Sequence, residues 1–517
     1  MVGDVRHHRG ESAVTSKQRV RKRPPVMAAT SLVLDGSTGA PLQEQLAEAL
    51  RGAILAERLA PGTRLLSTRV LAEQLDVSRN TVLNAYARLL AEGYLVGQTG
   101  SGTYVARELP ERLLSVRREA AREPARRTDA PRLSKRGAAV AEGAAKVESP
   151  SSGMGPGRMA FRPGIPALDA FPSELWGRLL HNRWQRSWHD LMSHVPAAGY
   201  APLRRAVADY LATARGVRCV PEQVLIVNGT QQALSLAAQV LLDPGDSVWV
   251  EDPGYVPAHG VFAAAGAVRV PVPVDAEGLD VEAGQRLCPD ARLAVVTPAH
   301  QFPTGVVMSE RRRKALLAWA ARSDAWVLED DYDSEFRYEG RPLPSLQGLA
   351  PDARVLYTGT FSKVLSPALR LGYLVVPESL VDAFSAARGT FDRHSPVLDQ
   401  AVLADFFTQG HFSRHVRRMR VLYAARQQTL VEAARRELRG LLDVQPLHTG
   451  LHLVGWLPEG VDDSAASERA ERAGLWAYAL SDFRLESRGR GGLVLGYACV
   501  PEAELTEAVS RLARALR

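Results

Sequence analysis

The chain has 517 residues, of which 46% are hydrophobic and 23% charged, and its formal net charge is +7. This length exceeds one ordinary domain, and the composition is typical of soluble globular proteins without the run of about 20 apolar residues that spans a bilayer. The three cysteines lie far apart without metal-ligand spacing, so we expect neither a disulfide nor a metal site. The basic, polar N-terminus lacks a secretory signal, which predicts a cytoplasmic protein with no membrane role.

The positive charge is concentrated in two segments. Residues 1–30 carry seven Lys and Arg against two Asp and Glu, and residues 107–148 carry eleven against seven. The remainder of the chain is slightly acidic, so the net charge alone is weak evidence for nucleic-acid binding. Because residues 1–30 also lack apolar periodicity, we interpret them as a disordered basic arm.

Residues 31–106 have the pattern of a small DNA-binding domain. Apolar side chains at helical spacing predict a first helix over 42–55, and Ser67 and Ser78 are the expected N-caps of two further helices. Two short strands, expected at residues 94–96 and 103–105, flank a glycine-containing turn. The order is therefore helix, helix-turn-helix and wing.

The segment STRVLAEQLDVSRNTVLNAYARLLAEGYLVGQTGSGTYV closely resembles the winged helix-turn-helix of the GntR superfamily. In such motifs the first residues of the recognition helix face base edges, while hydroxyls and helix N-termini hold phosphates. Arg79 is the candidate for a guanine contact and Arg69 for a second base or backbone contact; Ser78 could equally be only a helix cap. The predicted DNA-binding set is Ser67, Arg69, Ser78, Arg79, Asn80, Thr81, Thr99, Gly100 and Gly102.

The next segment, residues 107–157, is rich in Arg, Ala, Glu and Pro and ends in a Ser/Gly/Pro run, so it reads as a linker that is at most partly helical. Over 158–517 helical patterns alternate with apolar runs, which predicts an α/β domain with ligand sites at the carboxyl ends of its strands. The runs lie at 224–227, 247–250, 293–297, 325–328 and 355–357. The last hundred residues suggest a smaller α+β subdomain.

Three groups in this domain match the needs of pyridoxal 5'-phosphate (PLP), namely an attachment lysine, phosphate donors and an acid for the pyridine nitrogen. Lys363 follows a predicted strand, and the turn NGTQQAL at 228–234 opens a helix that is suited to a phosphate. Asp330 closes the strand in WVLEDDYDSEF. Asp331 remains the alternative, because adjacent strand residues point in opposite directions.

From about residue 35 onward the chain resembles MocR-type regulators, which fuse a GntR-type reader to a fold-type I aminotransferase domain. The resemblance implies that Lys363 forms a Schiff base, the internal aldimine, with PLP, and that Asp330 pairs with the pyridinium nitrogen. It also implies that Tyr332 reaches the ring hydroxyl and that Tyr255 of EDPGY stacks on the ring. The expected phosphate ligands are Thr230, Gln231, Thr360 and Arg370.

The chain departs from the aminotransferase pattern at three positions. Phe302 in FPTG replaces the asparagine that tunes the ring oxygen, and His194 aligns with a tyrosine that the neighbouring subunit supplies to the phosphate. Val494 replaces the arginine that clamps the substrate carboxylate, although Arg488 and Arg490 are close in sequence. Loss of a bidentate clamp predicts weak transaminase activity and argues against an α-amino acid effector.

These observations predict a regulator that senses PLP, or the Schiff base of PLP with an amine or amino acid, and binds a double-stranded DNA operator. Because residues 31–106 sum to a net charge of −1, we expect two readers in a homodimer, with each reader swapped onto the partner's large domain. The alternative is an active aminotransferase whose DNA-binding domain only autoregulates it.

Overall fold

The computed structural model describes residues 34, 40–98, 100–110, 133–145, 160–340, 343–486 and 489–517. The chain divides into two compact units, Met1–Pro131 and Arg132–Arg517. The division falls inside the predicted linker, residues 107–157. Among the helices formed by the described residues, none combines the length and the apolar character that crossing a membrane requires.

Within its described residues, the first unit contains three helices followed by an antiparallel hairpin. These elements are α1 (Leu42–Leu55), α2 (Thr68–Leu75), α3 (Arg79–Ala91), β1 (Leu95–Gln98) and β2 (Gly102–Val105). Their apolar faces meet in one core, in which Leu50, Leu71 and Leu89 are fully buried. This unit therefore has a hydrophobic core of its own, as the predicted helix, helix-turn-helix and wing require.

The hairpin differs from its prediction in extent. The expected strand over 94–96 begins one residue later and continues to Gln98, because Gly97 pairs with Thr103 and Gln98 pairs with Gly102. Cross-strand hydrogen bonding thus absorbs two residues that composition had assigned to the turn.

The second unit is built around an eight-stranded mixed sheet. Its strands are β3 (Val224–Val227), β4 (Ser247–Asp252), β5 (Val268–Asp275), β6 (Gly278–Leu279), β7 (Leu293–Val296), β8 (Trp326–Asp331), β9 (Val355–Thr360) and β10 (Gly372–Val375). The order is β3-β10-β9-β8-β7-β4-β5-β6, with β9, β8, β7, β4 and β5 parallel and β10 antiparallel to both of its neighbours. Six carboxyl ends, those of β3, β4, β5, β7, β8 and β9, therefore share one edge.

Helices cover both faces of this sheet. Val224 and Ile226 of β3 enter one core cluster while Leu225 enters another, so the strand is apolar throughout, as a doubly covered strand must be. The helices are α4 (Lys135–Ala145), α5 (Ser173–Leu191), α6 (Ala201–Ala214), α7 (Thr230–Leu241), α8 (Val256–Ala265), α9 (Val281–Leu287), α10 (Glu310–Arg322), α11 (Leu346–Leu349), α12 (Val381–Phe391) and α13 (Val397–Thr408).

The C-terminal part forms the predicted α+β subdomain. Its four-stranded antiparallel sheet has the order β11-β12-β14-β13. The elements are α14 (His411–Glu437), β11 (Asp443–Val444), β12 (His452–Trp456), α15 (Asp463–Arg472), β13 (Tyr478–Ala479), β14 (Gly492–Gly496) and α16 (Glu502–Leu516). The side chain of Asp462 caps α15 by accepting hydrogen bonds from two backbone N–H groups. The fold is thus a winged helix-turn-helix joined to a type I aminotransferase fold.

Candidate functional site

One cavity of about 270 Å³ lies at the shared carboxyl edge of the large sheet. The eight residues predicted to hold PLP all line it, although they come from four separate stretches of the chain. They are Thr230, Gln231, Tyr255, Asp330, Tyr332, Thr360, Lys363 and Arg370. The fold therefore brings the whole predicted set together.

Lys363 projects into this cavity from the segment that follows β9. Its Nζ donates a hydrogen bond to the backbone oxygen of Gly164 at 2.7 Å. A Cβ atom at Gly164 would lie 2.6 Å from Nζ, and the φ of +74° is also one that glycine favours, so this close approach requires glycine. Burial lowers the pKa of Lys363 from its ordinary value, which favours the neutral amine that attacks a carbonyl.

Asp330 and Asp331 are adjacent on β8 and point to opposite sides. Asp330 lines the cavity, with Oδ1 3.4 Å from the hydroxyl of Thr230. Asp331 instead accepts a hydrogen bond from Nε of the buried Arg215 at 2.7 Å and another from the hydroxyl of Tyr357. The strand also runs through Asp331, one residue beyond Asp330, which was expected to close it. Of the two alternatives, only Asp330 faces the cavity.

The environment of Asp330 suits a partner for a ring nitrogen. Burial, with a smaller contribution from the charge of Asp331, raises the pKa of Asp330 to about 8, while the charge of Lys363 acts in the opposite direction. A buried acid of this kind shares one proton with a pyridine nitrogen placed beside it, and the pair avoids an isolated buried charge.

The start of α7 forms an anion cradle. Gly229 has a φ of +106° and precedes Thr230, the first residue of the helix, so the free N–H groups of the first turn open toward the cavity. The Arg370 guanidinium comes within 3.8 Å of an ideal Cβ position on Gly229. Thr360 ends β9 on the same side. A helix N-terminus, two hydroxyls and an arginine fit a phosphate group.

Aromatic rings form the remaining wall. Tyr255 stands immediately before α8, and burial raises its pKa to about 12, so its phenol stays neutral. Phe302 packs edge-on against Tyr255 and Tyr332, with ring centroids 6.2 Å apart in both pairs, and against His452 at 5.3 Å. The lysine, the buried acid, the phosphate cradle and the flat aromatic wall together fit PLP.

Other residues that line the cavity were missed in the sequence, among them Thr297, Ser362 and His452. Thr297 directly follows β7 at the shared edge and Ser362 precedes Lys363, so the strand-end rule could have identified both. His452 comes from β12 of the C-terminal subdomain, where no local pattern points to the cavity. Burial lowers the pKa of His452 to about 3, and its Nε2 donates to the oxygen of Pro303 at 3.0 Å.

In the first unit, the N-termini of α2 and α3 lie side by side. Nε of Arg79, the first residue of α3, is 3.5 Å from the hydroxyl of Thr68, the first residue of α2. The hydroxyls of Ser67 and Ser78 accept hydrogen bonds from the N–H groups of Val70 and Thr81, so both serines are helix caps. Of the predicted DNA-binding residues, Ser67, Arg69, Ser78, Arg79, Asn80, Gly100 and Gly102 are exposed and Thr81 is half-buried. Thr99 lies outside the described residues.

The wing adds an arginine that the sequence analysis missed. A Cβ on Gly102, whose φ is +116°, would lie 3.2 Å from Nε of Arg64, which places this guanidinium against the hairpin. Residue 64 also bridges to Tyr104 in β2. Arg69 forms an ion pair with Glu73 at 3.3 Å, but both side chains are exposed, so the pair costs little to break.

The three departures from the aminotransferase pattern have distinct surroundings. His194 Nδ1 is 3.4 Å from Nε2 of His394. Val494 is buried in β14 with Val454 and Leu480, and no cation accompanies it in that cluster of described residues. Nε of Arg490 donates to the backbone oxygen of Leu457, while Arg488 lies outside the described residues.

Comparisons with known proteins match both units of the chain. Residues 42–105 match the model of bacterial regulatory proteins of the gntR family, and residues 180–512 match aminotransferase class I and II. The chain is 42% identical to the probable rhizopine catabolism regulatory protein MocR of Rhizobium meliloti over 93% of this chain and 95% of that protein. It is 33% identical to the pyridoxine biosynthesis transcriptional regulator PdxR of Corynebacterium glutamicum, over 90% of this chain and 95% of that one.

Among solved structures, the chain is similar to LysN, the α-aminoadipate aminotransferase of Thermus thermophilus, crystallised with N-(5'-phosphopyridoxyl)-L-leucine. The TM-score is 0.65 and the identity 31%, over 72% of this chain and 96% of LysN.

Proposed function

The chain belongs to the MocR-type transcriptional regulators, in which a GntR-type DNA-binding domain precedes an aminotransferase class I and II domain, and on this premise we propose that it is a cytoplasmic regulator controlled through PLP. Its large unit senses PLP, or PLP joined to an amine or amino acid, and its small unit reads an operator. The observation that carries the proposal is the complete PLP-binding set around one cavity in a chain that also presents an exposed recognition helix.

Each cavity residue has a proposed task. When bound, PLP supplies a carbonyl that condenses with amines and a ring that withdraws electrons. Lys363 holds the cofactor covalently, and Asp330 keeps a proton on the ring nitrogen. Tyr332 donates to the ring oxygen and Tyr255 stacks on the ring. The phosphate is bound by Thr230, Gln231, Thr360 and Arg370.

In the reader, Arg79 stands at the first helical position of α3, from which its guanidinium can reach two acceptors on one guanine. Arg69 provides a second base or backbone contact, and Asn80 lies beside Arg79. The residues proposed to hold phosphates are Ser67, Ser78, Thr81, Thr99, Gly100 and Gly102. Arg64, beside the wing, adds a further phosphate contact.

We also propose a homodimer, supported by an apolar stripe on α5 and the residue after it. Trp184, Trp188 and Met192 are four residues apart on one helical face and are 47%, 51% and 69% exposed in the single chain. A second copy would cover them. Trp188→Asp should yield monomers in sedimentation, whereas Val421→Asp, at a 73% exposed apolar position elsewhere, should not.

Control of DNA binding requires that the effector prefer one arrangement of the two readers in the dimer. In the domain-swapped arrangement that we propose, each reader contacts the partner's large domain. An effector bound in the cavity then changes operator affinity by changing the population of the binding-competent arrangement.

The alternative function, an active aminotransferase with an autoregulatory reader, is supported by the intact lysine, acid and phosphate cradle. Against it stands Val494, which cannot bind a substrate carboxylate. One experiment distinguishes the two functions: candidate amines and amino acids are added to the PLP-loaded protein. The regulator changes its affinity for DNA flanking its own gene, whereas the enzyme converts the bound cofactor to its amine form and releases an oxo acid. Oxo-acid turnover with no change in DNA affinity would overturn the proposal.

A further inference from the structure

A histidine and an aspartate are buried behind Tyr332, outside the set of cavity-lining residues. Nδ1 of His300 lies 2.9 Å from Oδ2 of Asp333 and 3.0 Å from the hydroxyl oxygen of Tyr332. Both His300 and Asp333 are 1% exposed. The three side chains thus form a chain of contacts that leads from the protein interior to the cavity.

The hydrogen on His300 is confined to Nδ1 by its neighbours. A carboxylate only accepts hydrogen bonds, so the nitrogen that faces Asp333 must carry the hydrogen. Among the described residues Nε2 has no hydrogen-bond partner, and it packs against backbone, since Cβ atoms on Gly450 and Gly305 would lie 2.5 and 3.2 Å from it. A hydrogen placed on Nε2 would be a buried, unsatisfied donor.

This assignment sets the direction of the bond to Tyr332. Nδ1 carries a single hydrogen, which lies between Oδ2 of Asp333 and the phenol oxygen of Tyr332 and is shared by these two acceptors. A protonated Nδ1 has no lone pair to accept from the phenol, so the phenol's own hydrogen is free to point elsewhere. Burial, the charges of Asp333 and Asp330, and smaller contributions from Glu251 and Asp331 hold the pKa of Tyr332 far above its ordinary value, so that hydrogen is retained. Other charged or titratable groups nearby are Lys363, Arg162 and the neutral His452.

We propose that His300 and Asp333 are positioning residues that turn the hydroxyl hydrogen of Tyr332 toward the ring hydroxyl of PLP. They compensate for the asparagine side-chain amide that aminotransferases have at the position of Phe302 and that this chain lacks. This inference rests on the proposed cofactor site. A hydrogen bond donated to the ring oxygen of PLP stabilises the anionic form of that oxygen. The oxygen then attracts less strongly the proton on the neighbouring nitrogen, the one that joins Lys363 to PLP. That nitrogen therefore loses its proton at lower pH.

The test is a pH titration of the visible absorption band of the PLP-loaded full-length protein. His300→Phe keeps a flat ring against Gly450 but removes the donor, and should raise the pH midpoint of the band by about one unit. His300→Gln restores an N–H donor and should recover part of this shift. His300 is chosen because Asp333 also acts directly on Lys363 by its charge.

A double-mutant cycle separates this role from a general electrostatic one. On a Tyr332→Phe background, His300→Phe should produce no further shift. If His300→Phe shifted the pH midpoint equally in the wild-type and Tyr332→Phe proteins, or lowered the midpoint, the proposed positioning role would be overturned. One tightly bound metal ion per chain that is lost in the His300→Phe variant would also overturn the proposal. Such an ion would be held by His300, Asp333 and His452, whose possible ligand atoms lie within 4.8 Å of one another.

If the proposed PLP site were wrong, the wild-type protein itself would show no visible absorption band, and this outcome is distinct from a changed pH midpoint in the variants. Retention of the band and of the far-ultraviolet circular dichroism in each variant shows that the variant has folded.

Discussion

The two sites of this molecule are built in opposite ways. The DNA-reading residues come from one short segment, are held by helix caps within that segment, and are almost all exposed. The cofactor-binding residues come from positions as far apart as Gly164 and His452 and meet only because the sheet aligns its strand ends at one edge. The first site therefore depends on local chemistry, and the second on tertiary structure.

The electrostatics differ in the same sense. Around the reader, ion pairs such as Arg69 with Glu73 are exposed and contribute little. At and near the cavity, burial raises the pKa of Asp330 to about 8 and the pKa of Glu251 and Glu329 to about 7. The large domain thus accepts a stability cost in order to hold its ligand groups, whereas the reader bears no comparable cost. Substitutions at five positions, taken from the largest expected effect to the smallest, test this contrast.

Lys363→Ala should abolish the visible absorption band of the purified protein, because no other lysine lines the described cavity. The fold should persist, since the lysine forms a single hydrogen bond, to Gly164. Lys314→Ala, at an exposed position paired with Glu310, is the matched control and should leave the spectrum unchanged. An intact band in the Lys363 variant would reassign the attachment site.

Asp330→Asn and Asp331→Asn should affect the cofactor-free protein in opposite directions. Asp331→Asn breaks a buried ion pair with Arg215 and should lower the free energy of unfolding by about 3–5 kcal/mol. Asp330→Asn removes a buried acid whose pKa is raised, and should raise the free energy of unfolding near pH 8 by about 1–3 kcal/mol. It should also weaken PLP binding.

The sign follows from linkage. The folded pKa of Asp330, about 8, exceeds the ordinary value of 3.8 for an aspartate, so its contribution to stability is complete at low pH and is lost as the pH rises through about 8. Urea unfolding between pH 5 and pH 9 should therefore show a shallower loss of stability in Asp330→Asn than in the wild type. Parallel profiles would contradict the assignment of Asp330 as a buried, protonated group.

Arg79→Ala should weaken operator binding by about 1–3 kcal/mol and relax base preference at one position, as expected for a bidentate guanine contact. Arg58→Ala is the control within the same domain, because Arg58 is exposed but lies outside the predicted contact set. Binding titrations on operator variants decide between roles. A loss of affinity that is equal for all sequences would assign Arg79 to phosphate.

Ser78→Ala should destabilise the reader by about 1 kcal/mol, because the N–H of Thr81 loses its cap. Ser78→Asp keeps a capping oxygen but adds a negative charge, so thermal melting should be near the wild-type value while DNA affinity falls. If both properties were unaffected by Ser78→Asp, the serine would be a cap only and not a phosphate contact.

The same contrast explains how far sequence reasoning reaches. Helices α1, α2 and α3 were predicted because local apolar periodicity specifies them, and the serine caps of α2 and α3 because hydroxyl residues stand directly before those helices. The runs at 224–227 and 355–357 were predicted as strands, but β9 extends to Thr360 because pairing with β10 and β8 continues past the apolar residues. Sequence left Asp330 and Asp331 open, since only the pleat of β8 decides which carboxylate faces the cavity.

Contacts from remote elements could not be predicted at all. His452 reaches the cavity from the C-terminal subdomain, and His300 meets Asp333 and Tyr332 across two different loops. The spacing of residues along the chain does not predict contacts between such distant segments. Similarly, the position of Arg64 beside the wing depends on the packing of the segment before α2 against β2.

The central claim is that the large unit controls the reader, and DNA binding by the full chain and by its reader alone tests it most directly. The fragment 1–106 contains the separate core of the first unit except for Leu109, so it is expected to fold, to be monomeric and to bind weakly. Both proteins are titrated onto DNA flanking the gene, with and without PLP, while sedimentation reports their oligomeric state. The account predicts that the full chain is dimeric and changes its DNA affinity with PLP, whereas the fragment does not. Equal sensitivity of fragment and full chain to PLP, or no response of the full chain, would contradict it.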